Sequence, residues 1–332
     1  MGADDLVTAE DPLLDGQGQV VAPLLVVDLD AGATPPARSD RILVGVATRP
    51  PDEHPRQLAA QLDVTLVPPG AVAGPEFVGS SDPAADASML RAAAEANPQA
   101  ALTLTEVLRA HPLDTEVALD LESFAYSTLL GGAEFARWLA RRGPRQPPVP
   151  AAEPPVLTTR SGDRLRITLN RPERRNAYGR ELRDALVEAL RLAVMDDTIE
   201  QVLLEGAGPS FSAGGDLAEF GTTPDLATAH FIRTRAGAAR LLNTLARRVQ
   251  AGVHGSCVGA GIELPAFAQQ LTAQPGATFR LPEVSMGLIP GAGGTVSITR
   301  RIGRWRTLFL ALSGRALDTD TALQWRLIDS IQ

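Results

Sequence analysis

Apolar spacing divides the chain into two stretches joined by a proline-rich segment. In the first stretch, short runs rich in Val, Leu and Ile at 20–29 (VVAPLLVVDL), 41–48 (RILVGVAT) and 62–67 (LDVTLV) are bounded by Pro and Gly, which predicts buried strands. The acidic residues 1–19 lack periodicity and predict a loose start. From Pro83 the pattern turns to alanine-rich helix at 84–96 and 99–110, divided at Asn97-Pro98 because the residue before a proline leaves the helical region. Asp114 predicts the N-cap of a helix running to about Arg142, with Val117, Leu121, Phe124, Ala125 and Thr128 on its apolar spacing. Gly131-Gly132 breaks or bends that helix before Phe135, Trp138 and Leu139.

The boundary lies at 144–155 (PRQPPVPAAEPP), whose six prolines favour an extended spacer. The spacing predicts a first domain over 1–143, a linker over 144–155 and a second domain over 156–332. In the second, 165–170 (LRITLN) alternates like a half-buried strand. A helix follows from about Gly179 to Met195, with Leu182, Ala185, Leu186, Ala189, Leu190, Ala193 and Val194 as its buried stripe. The strand at 201–205 completes a β-α-β order and predicts parallel pairing. Further on, the pattern predicts helices at 227–248 and 261–270, strands at 249–258 and 278–281, and helical segments at 293–303 and 304–313. The fold class is α/β.

Composition narrows the function classes. The 332 residues are 44% hydrophobic and 21% charged, which predicts a packed core. A formal net charge of −8 argues against non-specific nucleic-acid binding, which needs a basic surface. A single cysteine, Cys257, excludes an intrachain disulfide, and His54, His111, His230 and His254 show no metal-ligand spacing. The acidic Met1-Gly2-Ala3-Asp4-Asp5 start lacks a signal region, and no apolar run approaches the roughly 20 residues a membrane helix needs. A cytoplasmic protein without nucleic-acid, membrane or metal partners is expected.

The candidate chemistry sits in two glycine turns and a third segment. The first turn reads Ser210-Phe211-Ser212-Ala213-Gly214-Gly215-Asp216-Leu217, and the second His254-Gly255-Ser256-Cys257-Val258-Gly259-Ala260-Gly261-Ile262-Glu263. The third runs from Leu281-Pro282-Glu283 to Ile289-Pro290-Gly291-Ala292-Gly293-Gly294. Acyl reactions pass through an enolate or tetrahedral oxyanion that two backbone N–H groups stabilise, and small residues permit the close approach. A carboxylate pair in a dry pocket divides acid and base roles, because burial and repulsion raise one pKa. Either turn alone is equally a tight glycine turn. Gly255, Gly259 and Gly261 do not fit the dinucleotide-binding spacing.

Together these residues resemble the crotonase (enoyl-CoA hydratase/isomerase) superfamily. The opening signature is Leu169-Asn170-Arg171-Pro172-Glu173-Arg174-Arg175-Asn176-Ala177, followed in order by the two turns and the Glu283–Gly294 segment. The resemblance implies a crotonase-like spiral of β-β-α units, assembled as trimers or hexamers, acting on an acyl-CoA thioester. It implies Gly215 and Ala260 as oxyanion donors and Glu263 and Glu283 as the glutamates that position water and move protons. It also puts Arg175, Ala177, Ala213, Gly214, Leu217, Gly259, Pro290 and Gly291 at the substrate, with Asp216 as a turn-shaping support. Among Arg174, Arg175, Arg180, Arg300, Arg301, Arg304 and Arg306, some would reach CoA phosphates. Cys257 and His254 are expected to be structural. No metal is implied, and no cofactor beyond the coenzyme A of the substrate.

The sequence departs from that pattern in its order. Typical members continue past the segment resembling 322–331 into C-terminal helices, while 87–142 here resembles those helices through 98–102 (PQAAL), 122–125 (ESFA) and 134–139 (EFARWL). A rearranged architecture is therefore expected, in which a partly degenerate crotonase-like N-terminal unit supplies them. Pro265, early in the helix after Glu263, is tolerable only in a first turn. Both glutamates favour an enoyl-CoA hydratase or dehydratase. The rivals are a double-bond isomerase, a cofactor-independent CoA oxygenase, and a non-catalytic CoA-binding or assembly subunit.

Overall fold

A computed structural model describes residues 8, 11–33, 36, 39–49, 55–71 and 73–332; the acidic Met1–Asp5 start and His54 lie outside the described residues. The N-terminal stretch runs β1 (Leu24–Asp28), β2 (Ile42–Val46), α1 (Pro55–Ala59), β3 (Val64–Val67) and β4 (Phe77–Gly79). The four strands form one parallel sheet in chain order. β4 escapes sequence reading because only three residues pair. The expected loose start is ordered over 11–19, where the buried Arg41 guanidinium donates to the carbonyls of Asp11 at 2.7 Å, Pro12 at 2.8 Å and Ala22 at 3.0 Å.

Helices α2 (Pro83–Ala96), α3 (Pro98–Arg109), α4 (Thr115–Leu130) and α5 (Ala133–Arg142) follow. The Asp82 carboxylate accepts from Ala85 N–H and Asp114 from Glu116 N–H, each at 2.9 Å, so both starts carry side-chain caps. The apolar spacing expected along α4 holds only in part, since Leu121 and Ala125 pack against the core while Thr128 is exposed. Val117 and Phe124 are 55% and 58% exposed, and the buried face holds Ala118, Leu119, Glu122, Ser123, Ser127 and Leu129. Half of that face is polar, so hydrophobic periodicity misses it.

Residues 143–155 contain no helix or strand. Beyond them β5 (Val156–Ser161) and β6 (Arg164–Leu169) form an antiparallel hairpin. β5 is an exposed edge strand, invisible to an apolar pattern. Next come α6 (Arg180–Met195), β7 (Gln201–Gly206), α7 (Leu226–Arg235), α8 (Ala239–Thr244), β8 (Val249–Val253), β9 (Ser256–Val258) and α9 (Ala260–Glu263). The chain ends through β10 (Gln270–Ala273), β11 (Thr278–Arg280), α10 (Gly294–Ser313), α11 (Thr319–Trp325) and β12 (Ser330–Ile331). The larger sheet has the order β12-β10-β8-β7-β6-β5, and β9 pairs with β11 in a smaller one. The chain steps from one sheet to the other and back, as a spiral of β-β-α units does.

Two expected helices are corrected. The one over 227–248 is two, divided at Gly237, where a Cβ would come within 2.3 Å of the Arg233 carbonyl oxygen. The helix over 261–270 stops before Pro265, which opens a 3-10 turn, and Gln270 already belongs to β10. The segments expected at 293–303 and 304–313 are the two arms of α10, which is bent at Gly303, whose φ of 81° and ψ of 159° leave the helical region.

α10 packs on α2, α3, α4 and β3, so Leu90, Leu104 and Leu108 share one buried core with Ile298, Ile302 and Leu308. A polar junction ties the same elements. Asp63, 2% exposed, accepts from Arg109 at 2.6 Å, from Arg304 at 3.3 Å and from Leu43 N–H at 2.8 Å. Asp63→Ala would leave two partly buried guanidinium groups without their carboxylate and the Leu43 N–H without an acceptor. We expect it to lower unfolding free energy by about 3–5 kcal/mol in urea titration.

Candidate active site

The two glycine turns meet backbone to backbone. Val258 N–H donates to the Ser212 carbonyl at 3.1 Å. Little room is left between them: a Cβ on Gly214 would lie 2.5 Å from the Val258 carbonyl oxygen, and one on Gly261 2.3 Å from that of Ser212. Gly214 (φ 88°) and Gly259 (φ 50°) also occupy the left-handed region that glycine enters freely. Among the described residues, neither the Gly215 nor the Ala260 N–H donates to a backbone or side-chain acceptor. Ala260 begins α9, where first-turn N–H groups have no helical partner. Both residues line one cavity of about 350 Å³.

Three glutamates reach that cavity. Glu263, 2% exposed, directs Oε2 at the Ala292 N–H (2.7 Å) and the Gly294 N–H (3.0 Å). Glu122, on α4, offers Oε1 to the Gly293 N–H at 2.7 Å. Its Oε2 accepts from the Thr295 N–H at 2.9 Å and the Thr295 hydroxyl at 2.7 Å. Four successive N–H groups at the start of α10 thus alternate between a carboxylate from each half of the chain, where the helix end favours negative charge. Glu283 differs: it is buried, and its Oε2 has no hydrogen-bond partner among the described residues. A Cβ on Gly259 would lie 2.4 Å from Glu283 Oε1 and 3.7 Å from Glu263 Oε1, so the missing side chain leaves the space where the two carboxyls converge.

Burial dominates their acidity. It pushes Glu283 up to about 8, assisted by the Glu122 charge. It raises Glu122 to about 7 against the bonds from Thr295 and Gly293. Glu263 rises well above the ordinary range through burial and its two carboxyl neighbours, opposed by its two N–H bonds. Within the trio, the hydrogen-bonded Glu263 and Glu122 keep the anion best, and the unpartnered Glu283 keeps the proton.

Of the sequence-predicted residues, Glu263, Glu283, Gly215, Ala260, Asp216 and Gly291 line the cavity. Ala213, Gly214 and Gly259 shape the turns behind it, and the Ala213 N–H is taken by the Arg175 carbonyl at 2.9 Å. Pro290 is buried outside the lining, and Ala177 is half-buried, whereas Arg175 and Leu217 are exposed. Asp216 accepts from Ala218 N–H at 3.0 Å and is gripped by Arg174 at 2.6 Å, so Arg174 is committed within the turn. The phosphate role expected for the 300–306 arginines does not fit. Arg301, Arg304 and Arg306 donate to buried carbonyls of Ala266, Leu62 and Phe77, and Arg300 to Asn243 and Thr115. Arg180 and Arg183 do line the cavity. His254 Nε2 meets the Gly208 carbonyl at 2.8 Å, and burial pushes the Cys257 thiol up to about 12, so both are structural.

Glu122, Ser123, Tyr126 and Arg233 were not singled out for the site, yet all four border it. The available signal is the ESFA run at 122–125, which holds Glu122 and Ser123 and resembles family helices; Tyr126 and Arg233 lie outside it.

Residues 162–332 match the family model described as "Enoyl-CoA hydratase/isomerase". Over 176 residues the chain is 33% identical to the 2,3-dehydroadipyl-CoA hydratase of Escherichia coli (strain K12), covering 53% of this chain and 68% of that one. Over 169 residues it is 37% identical to the 1,2-epoxyphenylacetyl-CoA isomerase of the same organism, covering 49% and 64%. Among solved structures it is similar to an enoyl-CoA hydratase of Mycobacterium smegmatis, with TM-score 0.50, 28% identity, and 54% and 70% of the two chains covered. The chain spans about two thirds of the length of the curated relatives it matches.

Proposed function

Because the chain belongs to the enoyl-CoA hydratase/isomerase family, we propose that it adds water across the conjugated double bond of a 2-enoyl thioester of coenzyme A. The observation that carries this reading is the pair of buried carboxyls, Glu263 and Glu283, converging over Gly259 in the cavity that Gly215 and Ala260 also line. The thioester oxygen accepts from the two unpaired N–H groups, which stabilise the charge that develops on it; one such donor is worth about 10²–10³ in rate. Water lies between the carboxyls. Glu263, held as an anion by Ala292 and Gly294, takes its proton as the water oxygen bonds to the β-carbon. The double-bond electrons pass to the thioester, and Glu283 returns a proton to the α-carbon. The product is a 3-hydroxyacyl thioester. A trimer or hexamer belongs to the same reading, supported by the exposed Val117 and Phe124 of α4 and Phe231 of α7.

The test is a panel of 2-enoyl and 3-enoyl thioesters incubated in heavy water, with products followed by mass. Addition of one water supports the proposal. A shifted double bond with deuterium and no added water would transfer it to an isomerase. No turnover with any thioester would leave a binding subunit as the better reading.

The pH profile adds a second check. Glu283 must be protonated to act, so kcat/KM is expected to fall as pH rises through about 8, where that proton is lost. An unchanged rate up to pH 9.5 would remove Glu283 as the acid.

A further inference from the structure

We propose that the cavity selects acyl groups ending in a carboxylate, with Arg233 as the cation that receives it. This deepens the acyl-thioester reading and rests on it.

Arg233, on α7, borders the cavity. Its Nε donates to Ser123 Oγ at 3.2 Å, and its Nη2 to the Ser123 carbonyl at 3.2 Å and to Ser127 Oγ. The guanidinium also lies 4.5 Å from the Tyr126 ring centre. Every one of these partners is neutral. Two other arginines at the cavity have counter-ions, Arg240 pairing with Asp120 and Glu116 and Arg183 with Asp184, while Arg180 is exposed. No carboxylate pairs with Arg233 among the described residues, and both oxygens of the nearby Glu122 are occupied at the start of α10. Burial depresses the pKa of Arg233, opposed by the nearby Tyr126 and Glu122. A charge so placed is costly unless something anionic meets it.

Its position suits the far end of a substrate. Gly291 borders the cavity, and a Cβ there would lie 2.4 Å from the Tyr126 ring, so the ring closes onto the loop that leads into α10. Arg233 stands at that ring too, and the same loop's Ala292 N–H holds Glu263. Leu130, Phe220 and Ile232 supply apolar wall in the same cavity, suited to methylenes. All of these residues line one cavity, so a thioester at Gly215 and Ala260, a short methylene chain and a carboxylate at Arg233 share it.

The experiment is calorimetric binding of pentanedioyl-CoA and hexanedioyl-CoA against pentanoyl-CoA and hexanoyl-CoA, to wild type, Arg233→Met and Arg233→Lys. Wild type is expected to bind at least one carboxyl-ended thioester about tenfold or more tighter than its methyl-ended match, the scale of one charge-assisted hydrogen-bonded contact. Arg233→Met should abolish that preference and spare hexanoyl-CoA, while Arg233→Lys retains part of it. Equal or tighter binding of the methyl-ended thioesters by wild type would overturn the proposal. So would an equal weakening of both classes in Arg233→Met, which would make Arg233 only a distant countercharge for the glutamates. If Arg233→Met does not fold, the wild-type preference and the lysine variant decide. Binding needs no chemistry, so a hydration test that fails while the carboxyl preference holds separates the two readings. Failure of every thioester to bind would sink both.

Discussion

Glu283→Gln is expected to lower kcat by about 10²–10⁴ with KM changed no more than a few-fold, the range attributed to a lost general acid. The substitution is unusually clean here. Glu283 Oε2 has no hydrogen-bond partner among the described residues, so an amide nitrogen placed there displaces none. It also relieves a crowd of three carboxyls and should leave the melting temperature equal or higher. Steady-state kinetics at pH 7 alongside a thermal melt check this. Full activity in the variant would exclude Glu283 as the proton donor. Glu263→Gln is a poorer probe, since its Oε2 accepts from both Ala292 and Gly294.

Glu122→Gln is expected to cost about 10–100-fold in kcat and about 1–3 kcal/mol of stability, although residue 122 lies far from the family motifs in sequence. The stability loss comes from presenting the amide nitrogen to the N–H of either Gly293 or Thr295, each of which now faces a carboxylate oxygen. The rate loss comes from displacing Ala292 and Gly294, the neighbours that hold Glu263. The variant also removes a negative charge that raises Glu283, so the alkaline limb of kcat/KM should move to lower pH. The groups facing Glu122 are Thr295 and Gly293 of α10 and its approach, Arg233 of α7, and the other two glutamates. A melting change without movement of that limb would reduce Glu122 to a helix cap.

The spiral half of the fold was legible because its signals are local. The alternation at 165–170, the stripe on α6 and the glycine turns each depend on a few adjacent residues, and the structure has them at the expected places. Gly215, Ala260, Glu263 and Glu283 were found for the same reason, as members of ordered short motifs. Glu122 and Arg233 belong to no such motif. Their meaning arises only when α4 and α7 pack together and bring residues more than 100 positions apart within hydrogen-bond reach. On α4 the polar side faces inward, which inverts the rule used to assign a buried face. The arginines at 300–306 mislead in the opposite way. A cluster of cations in sequence suggested phosphate, yet most reach carbonyls inside the protein.

The start of α10 is held by one carboxylate from residue 122 and another from residue 263, with 143–155 as irregular chain between the halves. That makes the proline-rich segment a tether whose work is to keep the local concentration of one half high around the other. Cut there, each fragment lacks one of the two carboxylates that hold the start of α10, and the joining of the two follows the law of mass action.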